Sequence, residues 1–412
     1  MAMNDLLHTI THRPDAWILL TIPFAAAAVG WLSARLAVVM LLRPADFLGV
    51  RAGATRLGWQ GAVPAAAGRL AGIMADQALS RGAPLSDMLR ALGPERLARQ
   101  ITDLMRDDLE DAIDQVMREH DPRFWESLPL MVRRRVQARA RRRLPEVMES
   151  LVEDLSANIE ALADLRGMML RDLPARRAAL AQAFAETDHA GLRGIARAGA
   201  ALGLLLGLGL AVLHALHPQG GIMPVAGSLT GLAAGGLALF LCICPRHPVA
   251  LGPWRLQGLF MRRRDALAGR LSTLAASEII TPGQVLAEAL AGPNAHLTRA
   301  IVKRHLRRLL ESGALRPAMQ LGMRADGRAG LVGDLAGQVM TMMRNAVSDP
   351  RFNHERSGIM APVFRERLTA MTDVSFQALL LAVFTERART LLVACALLGG
   401  ISGLPWLFMP PG

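Results

Sequence analysis

The chain has 412 residues, 52% of them hydrophobic and only 4% aromatic, with no Tyr, and its formal charge of +12 rests on 46 Arg and a single Lys, Lys303. So apolar a composition argues against a set of ordinary soluble domains, and the dominance of Ala, Leu, Arg and Glu over strand-forming residues argues for helix. The three cysteines, Cys242, Cys244 and Cys395, all fall in apolar runs, which excludes a disulfide framework and a zinc-ligand spacing.

Residues 1–15 are polar, with Arg13 as their one basic residue, and residues 16–42 form the first apolar stretch. At 1.5 Å per residue it is long enough to cross a hydrocarbon layer of roughly 30 Å. A signal peptide is the competing reading, but the apolar part exceeds an ordinary signal core, which favours a retained helix. Arg35 lies inside the stretch, where a charge costs about 2.5–3.5 kcal/mol at mid-bilayer. It is expected to snorkel toward the interface marked by Arg43 and to anchor on lipid phosphate; a charge site for a substrate or partner is the other reading.

Residues 43–198 form the first long polar region. Its start, Ala45 to Arg69, is rich in Gly, Pro and Ala and carries Trp59 and Pro64, which reads as a re-entrant or surface-lying connection. Amphipathic helices follow. Between Gln100 and His120 apolar residues recur at three- and four-residue steps, the pattern of one helix with one buried stripe. The run Arg133 to Arg143 is the densest basic segment; it could meet phosphates, but acidic residues flank it on both sides, which favours helix-to-helix pairing or a solvated face. With no aromatic side chains among those arginines, nucleic-acid binding is disfavoured.

Residues 199–216 are the second apolar stretch, 217–221 a short turn, and 222–244 the third, together a membrane hairpin. Gly199, Gly203 and Gly207 on one helix and Gly227, Gly231 and Gly235 on the next recur at four-residue steps, the spacing that lets helix backbones approach closely in lipid. A glycine-lined conduit is the alternative. Residues 245–389 form the second polar region, opening with Trp254 and the cluster Arg262, Arg263 and Arg264, which is placed to meet anionic lipid headgroups. Residues 390–409 are the fourth apolar stretch.

The two halves echo each other: Leu36-Ala37 and Leu237-Ala238, Arg43-Pro44 and Cys244-Pro245, Gln60-Gly61 and Gln257-Gly258, Leu70-Ala71-Gly72 and Leu267-Ala268-Gly269, Gly93-Pro94 and Gly292-Pro293. Arginines near the apolar ends gather on one side, with Arg13 alone on the other, so both polar regions are expected in the cytoplasm and both termini and the turn outside. The first and third crossings then run the same way. The architecture expected is an all-α integral membrane protein, about four transmembrane helices in two parallel repeats, each with a long cytoplasmic helical region.

No metalloprotease helix motif, phosphate-cradling loop, dinucleotide fingerprint or nucleophile elbow is present. The pairs Asp188-His189 and His354-Glu355 read as surface neighbours. No catalytic residue, cofactor or metal is expected.

The pattern Gly30, Ser33, Ala37, Met40, Arg43-Pro44, then Gly58-Trp59-Gln60-Gly61 and Pro64, resembles the repeat of the membrane-protein family called domain of unknown function 445, with further matches at Phe124 to Pro129, Leu256 to Phe260, Glu278 to Pro282 and Phe376 to Phe384. The resemblance covers nearly the whole chain and implies the same membrane architecture. It implies no activity, because the family has none established. Where the family shows a polar trio, this chain has Ser33-Ala34-Arg35 and, in the second half, Ala234-Gly235-Gly236. The expected function is that of a non-enzymatic bacterial inner-membrane protein, a scaffold or envelope-organising module that meets anionic headgroups and a protein partner or a second copy. The alternative is a lipid- or small-solute-handling protein with a site between the repeats.

Overall fold

The structure, a computed structural model, describes residues 16–52, 55–79, 84–216, 222–245, 247, 249–251, 254–311, 325–348, 357–385 and 387–405. The expected N-terminal segment 1–15, the turn 217–221 and the end of the last apolar stretch, 406–409, lie outside these residues, as does the His354-Glu355 pair. The fold is mostly helical. The chain divides into two compact units, the first made of Met1–Ile73, Leu173–Leu271 and Thr369–Gly412, the second of Met74–Asp172 and Ser272–Leu368. Each polar region therefore contributes to both units. Ion pairs distant in sequence join the two parts of the second unit, Arg171 to Glu288 at 2.8 Å and His305 to Asp154 at 2.8 Å.

Three helices of the first unit are long and apolar enough to cross a membrane: Leu20–Leu42, His189–Leu216 and Ile222–Ile243. They are apolar nearly all round, and large side chains such as Leu20, Phe24, Leu205, Val225 and Leu229 stand on their outer surfaces, as suits helices surrounded by lipid. His189–Leu216 begins ten residues ahead of the expected start at 199, so Arg193 and Arg197 lie on the helix rather than before it. A fourth apolar helix, Ala388–Gly403, has 16 residues, about 24 Å at the helical rise and short of a full crossing.

These helices meet through glycine. The first apolar helix packs on His189–Leu216, and Ile222–Ile243 packs on Ala388–Gly403. A Cβ on Gly199 would collide with the Gly30 carbonyl oxygen at 2.6 Å, and one on Gly203 would press on the Ala26 carbonyl. In the other pair, a Cβ on Gly235 would meet Cys395 Sγ at 2.8 Å and one on Gly231 the Cys395 carbonyl.

Each of the first and third apolar helices leads through a cis proline, Arg43-Pro44 or Cys244-Pro245, into a two-stranded antiparallel hairpin. The first pairs Leu48–Ala52 with Thr55–Trp59, Leu48 opposite Trp59 and Ala52 opposite Thr55; the second pairs Val249–Leu251 with Trp254–Leu256. The connection that composition marks by its Gly, Pro and Ala content thus contains strands. The strands mix Val, Thr and Trp, which favour strand, with Gly, Ala and Arg, which do not, and in the first hairpin glycine permits close approach: a Cβ on Gly58 would stand 2.6 Å from the Gly49 Cα across the ladder. The Gly61 N–H then donates to the Pro44 carbonyl at 2.9 Å, and the Gly258 N–H to the Pro245 carbonyl at 3.0 Å, closing each connection.

The second unit is a helical body. Its stripe between Gln100 and His120 belongs to two helices, Pro94–Met105 and Leu109–His120, and not to one. The break falls at Arg106, Asp107 and Asp108, where two adjacent aspartates of low helix propensity stand, and Asp108 becomes the residue ahead of the next helix. Pro94–Met105 buries Leu97, Ile101 and Met105 and packs on Leu130–Ala157. Thr281 starts Pro282–Ala291 with a capping box shared with Gln284, both bonds 3.2 Å.

Candidate functional site

The residues singled out as lipid or anion contacts sit around the ends of the apolar helices of the first unit, and the structure treats them unequally. Asp188, immediately ahead of His189–Leu216, is the centre of the best-built group. Its side chain is 5% exposed; one oxygen accepts the Gly191 N–H at 2.9 Å, as a helix-capping carboxylate does, and the other accepts from Arg262 at 2.9 Å and Arg263 at 3.4 Å. Burial pushes this carboxyl up, but the Gly191 N–H and the two guanidinium groups outweigh burial and hold it below its ordinary value. The surface pair expected of Asp188 and His189 is thus split: His189 is exposed and Asp188 is buried. The signal was legible, an Asp three residues ahead of a helix-N-terminal amide.

Arg262 and Arg263 each remain about half exposed, with donors to spare for a headgroup. Arg264 is different. Its side chain is 18% exposed and is paired with Asp373, bonded to the Thr369 carbonyl at 2.7 Å and to the Met371 carbonyl, and set over the Phe376 ring at 5.5 Å. The guanidinium ties the loop ahead of Asp373–Phe384 to the start of Arg264–Glu278, and little of it faces outward.

Arg35 stands on the exposed surface of the first apolar helix, with its guanidinium 5.0 Å from the centre of the Trp31 ring, one turn back along the chain. The reach toward Arg43 that the sequence suggests is not the one adopted. Helical side chains lean toward the N-terminus, and the indole face offers the cation an electron-rich seat there. Arg43 is exposed; its carbonyl accepts from Trp59 Nε1 at 3.2 Å, and Gln60 holds the Ala45 carbonyl at 2.8 Å. Arg387 lies over the other side of this corner, 5.8 Å from the Trp59 ring.

Arg35 is exposed, but the two residues that precede it are enclosed. Ser33, Ala34 and Ala234 are fully buried, Ser33 Oγ has no partner among the described residues, and Cys395 Sγ donates to the Ser33 carbonyl at 3.4 Å. Beside them the apolar helices leave a cavity of about 270 Å³, lined by residues such as Val29, Leu32, Leu210 and Met223 with the Thr230 and Ser402 hydroxyls. Both hydroxyls already donate to carbonyls of their own helices, Thr230 to Ala226 and Ser402 to Gly399, so the cavity is apolar in character.

No family model, curated protein or solved structure matches the chain.

In the second unit the basic run is distributed among several roles. Arg133 donates to the Leu128 and Glu126 carbonyls at 3.1 and 2.7 Å, Gln137 to Asp114 at 2.9 Å, and Arg141 to Glu110 at 3.4 Å. Arg134, Arg135 and Arg142 are exposed. Among the described residues no group of three or more His, Cys, Asp or Glu side chains could hold a metal.

Proposed function

We propose that the chain is a non-enzymatic bacterial inner-membrane protein of the domain of unknown function 445 type, with four crossings in two parallel repeats, whose helical unit outside the membrane serves as a scaffold. The observation that carries this reading is the correspondence between halves. Each has an apolar helix paired through glycine with a second one, and each apolar helix that opens a half runs into a proline, a hairpin and a glycine whose N–H returns to that proline's carbonyl. Stations that match in sequence and in hydrogen bonding support a duplicated unit. The scaffold role is supported by the long helix Leu130–Ala157, whose arginines at 134, 135 and 142 are exposed on a surface suited to an acidic partner or an anionic membrane. A photo-crosslinking residue at Arg134 or Arg135, in the full chain in cells, should capture discrete protein neighbours; capture no different from an unrelated membrane protein would end the scaffold reading.

The cavity of about 270 Å³ beside Ser33 favours a second reading, a lipid or small apolar solute held among the apolar helices of the two halves. A lipid retained at fixed stoichiometry through extensive washing, and lost on replacing Val29 with Trp, would move this reading ahead.

A further inference from the structure

The second unit contains an elongated apolar cavity of about 210 Å³ that a scaffold role does not use. Its walls come from Leu109–His120, Leu130–Ala157, Ala295–Glu311 and Ala325–Ser348. The lining is Leu, Val, Ile, Met and Ala with few polar groups. Along Leu130–Ala157 it extends from Val132 to Leu151, about 28 Å at the helical rise. Helical bodies ordinarily fill such space with side chains, since an empty cavity costs stability in proportion to its volume.

Shape and charge narrow the occupant. A partner helix, about 10–12 Å across with its side chains, is too wide for a cavity of this volume. One lipid chain matches the length: two chains span a hydrocarbon core of roughly 30 Å, so each extends about 15 Å. Arg139 and Arg143 stand one turn apart on the cavity wall, four residues apart and so on one helix face. Arg139 has no ion pair among the described residues, and the Arg143 contact with Glu146 is 3.9 Å between groups open to water, worth little. Guanidinium forks suit a carboxylate. His305, also in the wall, is already held by Asp154 at 2.8 Å and Ser150 at 3.3 Å. From Arg143 to Leu151 the wall continues for about 12 Å, and from Arg139 for about 18 Å, which brackets one chain. Trp125, another wall residue and 1% exposed, has an indole Nε1 with no partner among the described residues, a buried donor of the kind a ligand oxygen satisfies.

We infer that this cavity binds one long-chain fatty acid, its carboxylate held by Arg139 and Arg143 and its chain laid along Met148 and Leu151 against Leu306 and Met342. The site lies outside the apolar helices and is independent of the scaffold reading.

The test uses the full chain in mild detergent and palmitate carrying a mid-chain diazirine. After irradiation, peptide mapping should find adducts on 144–151 and 331–342. Unlabelled palmitate should compete for them, and hexadecanol, which lacks the charge, should compete at least tenfold more weakly. Arg139→Glu with Arg143→Glu reverses the two charges on the cavity wall and should lower these adducts at least tenfold at unchanged helix content; Leu306→Trp should remove them while labelling of the apolar helices persists. Adducts confined to the apolar helices, or cavity adducts indifferent to palmitate and to charge reversal, would overturn the proposal.

Discussion

Asp188 shows how a buried carboxylate can set the worth of its neighbours. It caps a membrane-length helix and neutralises two half-exposed arginines, so Asp188→Ala removes a cap and two charge-assisted bonds and should cost about 1–2 kcal/mol. The pH dependence follows from its lowered pKa. A depressed carboxylate contributes stability that is complete above its unfolded value, about 3.9, and is lost as pH falls through the folded value. The gap in thermal midpoint between the native chain and Asp188→Asn should therefore be constant near neutrality and close below about pH 4. A gap that does not narrow at all as pH falls from about 5 to about 2.5 would show that the charge contributes nothing. Arg264 should be the costlier loss in its cluster: Arg264→Ala removes two bonds to backbone carbonyls and an ion pair made by a largely enclosed guanidinium, roughly 2 kcal/mol, whereas Arg262→Ala and Arg263→Ala each leave the other arginine on Asp188 and stay below about 1 kcal/mol. Equal midpoints for the three variants would contradict this. The sequence shows three consecutive arginines and gives no sign of the division among them, because the deciding partners, Asp188 and Asp373, are 74 and 109 residues away.

At the scale of elements, glycine spacing was the most informative feature of the sequence. The four-residue steps at Gly199, Gly203 and Gly207 and at Gly227, Gly231 and Gly235 lie on faces where the neighbouring helix, by its backbone or by the Cβ of Ala26, Ala34 or Cys395, leaves no room for a Cβ. Gly209, on the same helix, would direct a Cβ into open space. Gly203→Leu or Gly231→Leu should force the helices apart at a cost of about 1–3 kcal/mol. Gly209→Ala should instead stabilise by about 0.5–1 kcal/mol, the gain of Ala over Gly in a helix interior. Thermal unfolding followed by far-UV dichroism in detergent separates the cases, and a Gly203→Leu midpoint no lower than that of Gly209→Ala would mean that the pair does not depend on close approach. Two elements were not legible. The hairpin strands are only three to five residues long and mix strand formers such as Val and Trp with Gly, Ala and Arg, too short and too mixed for an alternating pattern to show. The break within Gln100 to His120 was obscured because the apolar period continues through it: Met105 and Leu109 are both buried, one on each side.

For the whole molecule the open question is parity. Three helices meet the length and apolarity of a crossing; with three, the chain ends on opposite faces of the membrane, and with four it ends on one face. The short helix Ala388–Gly403 decides between them. Its seating against Ile222–Ile243 matches Cys395 with Gly235, Gly399 with Gly227 and Gly403 with Pro224, an antiparallel course, and the first apolar helix meets His189–Leu216 the same way, Ala34 against Gly199 and Ala26 against Gly203. Its outer residues Val393, Leu397 and Ile401 are more than half exposed, as are Val225 and Leu229 on its neighbour. Under the four-crossing proposal, a helix that shares an apolar surface with a crossing and runs counter to it is expected in the same layer. Apolar sequence also continues past it to Met409, so the stretch 388–409 is as long as Ile222–Ile243. Reporter tags fused before Met1 and after Gly412 should therefore be protected or digested together when protease is added to one side of sealed vesicles, and a cysteine at Gln219 should label from that same face. Digestion of one terminal tag but not the other would give three crossings and end the four-crossing reading, although the first and third apolar helices would still run the same way.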